Sequence, residues 1–146
     1  MREYVIDASV AVKLFIADAL SPKVIALFDM LGALSPPVLH APDLLYSEVT
    51  GALRKRALLA GYPHARRDVL RLYEIPFRVA PCRELMAEAI GISLDRVISS
   101  YDAFYVALSR RLKVPLVTAD ERLVRAVLAL PGYDVRSLAG LKISGL

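Results

Sequence analysis

Four acidic residues stand out because their positions, and not only their types, suit chemistry: Asp7, Glu48, Asp102 and Asp120. Asp7 follows the apolar run Tyr4-Val5-Ile6, and Asp120 follows Pro115-Leu116-Val117-Thr118-Ala119, so each leaves a predicted strand at its carboxyl end. Asp102 falls in the first turn of a helix announced by Ser99-Ser100. Each of these three has an ordinary alternative, an N-cap for Asp7 and Asp120 and a partner of the helix dipole for Asp102. Glu48 is harder to explain away. At 100° per residue it lies amid the stripe of Leu44, Leu45, Val49 and Ala52. A carboxylate on the buried side of a helix costs several kcal/mol, of order 2–5, unless an arginine or a metal ion compensates it.

Strands alternate with helices along the whole chain. Strands are predicted at Glu3–Ile6, Val38–Ala41, Phe77–Ala80, Val114–Thr118 and Tyr133–Arg136. Helices are predicted at Ala8–Ala17, Pro22–Leu34, Asp43–Ala60 (stopped by Gly61), Pro63–Tyr73, Arg83–Ile92, Tyr101–Leu112 and Glu121–Leu130. This alternation implies an α/β fold whose mainly parallel sheet is covered on both faces. No repeat or flexible linker divides the 146 residues, so residues 1–146 read as one domain. In such sheets function sits at the carboxyl ends of the strands, where strand order reverses. Asp7, Asp120 and the start of the Asp102 helix should all lie on that edge.

Carboxylates gathered within a few ångströms repel one another, and a cation resolves the conflict. Mg²⁺ or Mn²⁺ is expected, since both are hard ions that prefer oxygen ligands and retain waters. Zinc is disfavoured: His40 and His64, read as surface or loop residues, have no Cys or His at ligand spacing. The net charge is +4, and setting the four acids aside leaves 19 basic against 11 acidic groups. A basic body around an acidic pocket suits a polyanionic substrate. Candidate phosphate contacts are Lys13, near Asp7, and the run Arg54-Lys55-Arg56, in which Lys55 is within about 20° of Glu48 on the helix.

With 56% hydrophobic and 23% charged residues the chain is not disordered. The single cysteine, Cys82, excludes an internal disulfide. No leader is evident, and Asp29 interrupts the most apolar stretch, so a cytoplasmic protein without a membrane span is expected. The absence of Asn, Gln and Trp, with 14 Arg against 5 Lys, follows a trend of heat-adapted proteins. The apolar content exceeds what a monomer ordinarily needs, and the Pro22–Leu34 and Asp43–Ala60 helices are candidates to line a partner groove.

The motifs Val5-Ile6-Asp7-Ala8-Ser9, Ala41-Pro42-Asp43-Leu44-Leu45 with Glu48-Val49 and Ala52-Leu53, Tyr101-Asp102-Ala103 with Tyr105-Val106-Ala107-Leu108, and Val117-Thr118-Ala119-Asp120 resemble those of PIN-domain proteins, specifically the VapC-type toxins of toxin–antitoxin pairs. Each motif is short, and their order and spacing carry the resemblance. It implies a five-stranded sheet in a three-layer α/β/α sandwich and a Mg²⁺- or Mn²⁺-dependent endoribonuclease with Asp7, Glu48, Asp102 and Asp120 as its acidic quartet. Ser9 and Thr118 take the place of the small polar residues that support such a quartet, whereas Glu121 reads as an ordinary first-turn residue. The resemblance further implies a structured RNA substrate such as tRNA or rRNA, a homodimer, and an antitoxin that covers the site. Two other classes compete. A receiver or aspartate phosphatase also places an Asp at a strand end, but Asp7-Ala8-Ser9 lacks the second acid and no later catalytic lysine is evident. A non-catalytic RNA-binding or scaffold module on the same fold is the other.

Overall fold

The structure, a computed structural model, describes residues 2–128 and 130–143. Its five strands form one sheet in the order β3-β2-β1-β4-β5: β1 Glu3–Ile6, β2 Val38–Pro42, β3 Arg78–Ala80, β4 Leu116–Thr118 and β5 Val135–Ser137. All four pairings are parallel, so the expectation of a mainly parallel sheet holds throughout. Its helices are α1 Ala8–Ala11, α2 Ser21–Asp29, α3 Leu44–Ala60, α4 Ala65–Glu74, α5 Met86–Arg96, α6 Ser100–Leu112 and α7 Glu121–Val127.

The chain lays β1, β2 and β3 in one direction, then returns to place β4 and β5 on the far side of β1. Right-handed crossovers put the helices before and after the return on opposite faces, which makes three layers. The central strands are therefore covered on both sides. Val5, Ile6, Leu39, Ala41, Leu116 and Val117 are almost completely buried, which accounts for their unbroken apolar runs. The point where strand order reverses lies between β1 and β4. Their register, Val5 beside Leu116 and Ile6 beside Val117, brings the carboxyl ends of both strands to the same level.

Several boundaries shift for local reasons. The helix predicted over Ala8–Ala17 stops as α-helix at Ala11 and tightens into a 3₁₀ turn, Val12–Leu14, where Ser21 Oγ donates to the Lys13 carbonyl (2.9 Å). Likewise α2 gives way to a 3₁₀ turn at Met30–Gly32, leaving Leu34 outside any helix and fully exposed. The helix predicted from Arg83 begins with a 3₁₀ turn at Cys82–Glu84 and continues as α5 to Arg96. The last strand begins at Val135 because Gly132, at φ 82°, first turns the chain. The end of the Glu121–Leu130 prediction reaches Ala129, outside the described residues.

His40 corrects the expectation of a surface or loop histidine. It lies in β2 between β1 and β3, buried, with Nε2 2.7 Å from Glu3 Oε2 of β1. A polar ring inside a doubly covered sheet requires such a partner. His64 is exposed ahead of α4, its ring edge-on to Tyr62. Among the described residues no helix is long and apolar enough to cross a membrane.

Candidate active site

Asp7 and Asp120 follow β1 and β4 at the carboxyl edge of the sheet, and α3 and α6 carry Glu48 and Asp102. Asp7 directly follows β1 and is only 5% exposed. It occupies the N-cap position of α1, yet its carboxylate makes no capping bond. Instead Oδ2 accepts from Ser9 Oγ (2.7 Å) and from Thr118 Oγ1 (2.6 Å) of β4. Both hydroxyls are themselves fixed by backbone amides, Ser9 Oγ accepting from Ala119 N (3.0 Å) and Thr118 Oγ1 from Asp120 N (3.0 Å). The frame spans β1, β4 and the turn to α7, so Asp7 is set by the strand register and not by helix capping. Ser9 and Thr118, the two small polar residues singled out in the sequence, thus both bond to Asp7.

Asp120 does cap: its Oδ1 accepts from Arg122 N (2.9 Å) and Leu123 N (3.4 Å) at the start of α7. Asp102 lies half-buried in the first turn of α6, where its amide donates to Ser99 Oγ (3.1 Å), so Ser99 is the N-cap the sequence suggested. Glu48 projects half-buried from α3. Among the described residues no arginine pairs with it. Its Oε1 accepts from the hydroxyl of Tyr105 (2.7 Å), a residue 0% exposed on α6. In the sequence Tyr105 stands out only as part of the Tyr105-Val106-Ala107-Leu108 motif. The usable signal was its spacing: three residues past Asp102, it shares that helix face, and a buried tyrosine hydroxyl needs an acceptor.

The charges of Asp7, Glu48 and Asp102 bear on one another, and that of Asp120 bears on Asp102. Burial lifts the Asp7 carboxyl above the usual carboxylate range, against the hydrogen bonds from Thr118 and Ser9. Burial also raises Glu48, opposed by the Tyr105 bond and reinforced by the charges of Asp7 and Asp102. Asp102 is raised by burial and then by Asp7 and Asp120. Burial and the neighbouring Glu48 push the Tyr105 phenol far above its ordinary value, so it remains a donor.

Among the described residues no cation pairs with this charge. The acids in ion pairs among the described residues are Glu3, Asp18, Asp68, Glu88 and Asp134, none of them from the quartet. Unpaired, oxygen-only and partly desolvated, the site fits a hard divalent cation. Among the described residues no three His, Cys, Asp or Glu side chains close into a ready-made cage. Cys82 offers no soft alternative, because burial and the adjacent Asp43 push its thiol up to about 11.

The proposed RNA contacts are more scattered. Lys13 pairs with Asp18, and together with Lys55 and Arg56 it lines a cavity of about 380 Å³ between the Val12–Leu14 turn and α3. Arg54 is exposed and does not line that cavity. Glu121 is exposed and accepts from Ser137 Oγ, tying α7 to β5, which agrees with its reading as an ordinary helix residue.

Comparison with known proteins agrees with this geometry. The PIN domain family pattern matches residues 4–127. Ribonuclease VapC1 of Mycobacterium tuberculosis is 34% identical over 128 residues, covering 86% of this chain and 92% of that protein. Ribonuclease VapC9 of the same organism is 32% identical, covering 82% and 87%. Among solved structures, PAE2754 of Pyrobaculum aerophilum aligns with a TM-score of 0.64 at 24% identity, covering 94% of this chain and 92% of that one. M. tuberculosis VapC20, described as a sarcin-ricin loop cleaving toxin, aligns at 0.62 and 22% identity, covering 85% and 95%. At those identities the structural likeness speaks for the fold. Together with the sequence match over most of its length, it establishes that the chain belongs to the PIN-domain family.

Proposed function

We propose that this protein is a Mg²⁺- or Mn²⁺-dependent endoribonuclease whose reaction runs on Asp7, Glu48, Asp102 and Asp120. The observation that carries this reading is that the charges of Asp7, Glu48 and Asp102 bear on one another, and that of Asp120 on Asp102, near the switch point of a parallel sheet, while among the described residues no basic side chain pairs with any of them. Asp7 and Asp102 would hold the ion directly, with Glu48 and Asp120 reaching it through water. When bound, the ion supplies positive charge for the attacking and leaving oxygens of the phosphodiester. Tyr105 occupies Oε1 of Glu48 and leaves Oε2 to take a proton from the attacking water. A carboxyl raised above its usual range is better matched to that task near neutral pH. The Ser9–Thr118 frame keeps Asp7 aimed while its neighbours repel it. Hydrolysis of this kind leaves a 5′-phosphate and a 3′-hydroxyl.

The relatives support a toxin role. They include ribonucleases named VapC, and similar folds occur in a toxin–antitoxin complex from Klebsiella pneumoniae. On this reading the chain acts in the cytoplasm as a homodimer on a structured RNA such as tRNA or rRNA, and a small antitoxin covers its active site. The test is cleavage of 5′-labelled RNA with Mg²⁺, Mn²⁺ or EDTA by the wild type and Asp7→Asn. Cleavage should require the metal and fall about 10²-fold or more in the variant. Metal-independent cleavage, or RNA binding without any cleavage, overturns the enzymatic reading. Labelling of Asp7 by acetyl phosphate would show a phosphoacceptor instead.

A further inference from the structure

The positive charge of the chain is gathered in one place. Residues 54–74 comprise the end of α3, the turn at 61–64 and α4. They hold six arginines and lysines against two acids, so with its histidines uncharged the rest of the chain is neutral and this hairpin carries the net +4. All six cations are exposed, Arg54, Lys55 and Arg56 on α3 and Arg66, Arg67 and Arg71 on α4. Of the two acids Asp68 is buried, which leaves Glu74 alone at the surface.

Local stability does not account for this cluster. Arg67 and Arg71 are four residues apart on α4, a spacing at which like charges destabilise a helix. A heat-adapted surface would set its arginines in ion-pair networks. Here Arg67 pairs with Asp68, and among the described residues the other five join no ion pair. Three cations elsewhere are matched, Lys13 with Asp18, Arg111 with Glu88 and Arg136 with Asp134. Packing does not need them either: α4 buries Asp68 and Leu72 and packs chiefly on α3, leaving its arginines outside. Five unmatched cations on one helical hairpin complement a polyanion.

We propose that the α3–α4 hairpin is a second contact surface for RNA, holding its phosphate backbone several nucleotides from the bond cleaved at the acidic site. The proposal takes RNA as the polyanion from the ribonuclease reading and places part of its grip outside the quartet. Arg54 and Arg56 lie six and eight residues past Glu48 on α3, about 9–12 Å along the helix axis. A stacked strand rises about 3.4 Å per nucleotide, so these cations meet phosphates roughly three nucleotides from the one at Glu48. Contacts to phosphate fix the register of a substrate without reading its sequence. The hairpin therefore favours an RNA long enough to reach it over a fragment that fills the acidic site alone.

The experiment uses the full chain with a labelled hairpin RNA and a labelled trinucleotide. Anisotropy in EDTA reads binding, and added Mn²⁺ or Mg²⁺ starts cleavage. Arg54, Arg66 and Arg71 are the residues to change, since none lines the cavity beside Lys13 and none pairs with an acid among the described residues. Arg54→Ala/Arg66→Ala/Arg71→Ala should keep Tm within about 2 °C, because these side chains are exposed. It should weaken binding of the hairpin RNA about tenfold and lower the slope of log affinity against log salt by about 2. KM for the hairpin RNA should rise in step, with kcat and trinucleotide binding within about twofold of the wild type. Arg54→Lys/Arg66→Lys/Arg71→Lys should restore the slope, since a point charge still meets phosphate. If the Ala variant binds the hairpin RNA with unchanged affinity and slope, the surface is overturned. Loss of binding to polyglutamate, to anionic phospholipid vesicles or to the same hairpin in DNA, with RNA binding intact, overturns RNA as the occupant. If wild type and variant differ as expected in EDTA but neither cleaves RNA with either metal, the surface stands and the nuclease reading falls.

Discussion

Asp7, Glu48 and Asp102 are all raised above the usual carboxylate range, with burial the largest cause in each case. A carboxyl raised in the folded state contributes stability that is complete below its unfolded value, near 4, and is lost as pH climbs through the raised value. Asp18, held low by Lys13, and Asp43, held low by Cys82, behave oppositely and lose their contribution only as pH falls below the ordinary range. The metal-free protein should therefore be most stable in mild acid, with a higher Tm in EDTA near pH 5 than near pH 7.5. Mn²⁺ should recover the difference at the higher pH. Asp102→Asn removes one charge from the repulsion and should raise the metal-free Tm at neutral pH by roughly 2–4 °C while abolishing cleavage. A flat thermal profile across this range would show that Asp7, Glu48 and Asp102 are not raised together. Tyr105→Phe isolates the one bond that orients Glu48. It should cost about 1–2 kcal/mol of stability and lower metal affinity or activity roughly 10- to 100-fold. Unchanged Mn²⁺ affinity with lowered Tm would reduce Tyr105 to a core residue.

At the scale of elements, a fifth acid shows what a structural carboxylate looks like in the same protein. Asp68, in the first turn of α4, is 0% exposed. It accepts from the hydroxyl of Tyr62, which lies within 3.0 Å of the Phe15 carbonyl, and from Arg67 Nε and Nη2 (both 3.2 Å). This network ties α4 and the α3–α4 turn to the chain just after α1. Removing it strands little: Arg67 is half exposed, and Tyr62 keeps the Phe15 carbonyl as acceptor. Asp68→Ala should therefore cost only about 1–2 kcal/mol and leave cleavage per folded molecule unchanged. Thermal melts alongside RNA cleavage separate it from Asp7→Asn, which should do the reverse. Sequence periodicity did not reveal Asp68, because a first-turn aspartate looks alike whether it is buried or solvated. The strands and the long helices were legible, since unbroken apolar runs and stops such as Gly61 are local signals. The 3₁₀ turns at Val12–Leu14 and Met30–Gly32 were not, because the first is fixed by Ser21, eight residues from Lys13.

The whole molecule carries two features that its parts do not explain. One is the assembly of the site itself: Asp7 and Thr118 are 111 positions apart in the chain, and only the strand order places them side by side. The acids out of place are legible in the sequence, and the parallel-sheet rule names the edge that carries Asp7 and Asp120. The hydroxyl–carboxylate bonds between strands were beyond it, because they depend on register. The other feature is surplus apolar surface. Met86, Ile90 and Leu94 lie on α5 at four-residue spacing, and all three are exposed. On the proposed homodimer reading, this one-sided stripe on a helix packed against α6 is the surface that a second copy would cover by two-fold symmetry. Because these side chains contribute little to the core, Ile90→Asp should leave the monomer's fold and Tm nearly intact, within about 0.5 kcal/mol. Sedimentation equilibrium should find the wild type dimeric and the variant shifted toward monomer. A dimer that tolerates Ile90→Asp must join elsewhere, and the exposed Leu58, Leu59, Leu70 and Tyr73 of α3 and α4 are then the surface to test by the same substitution.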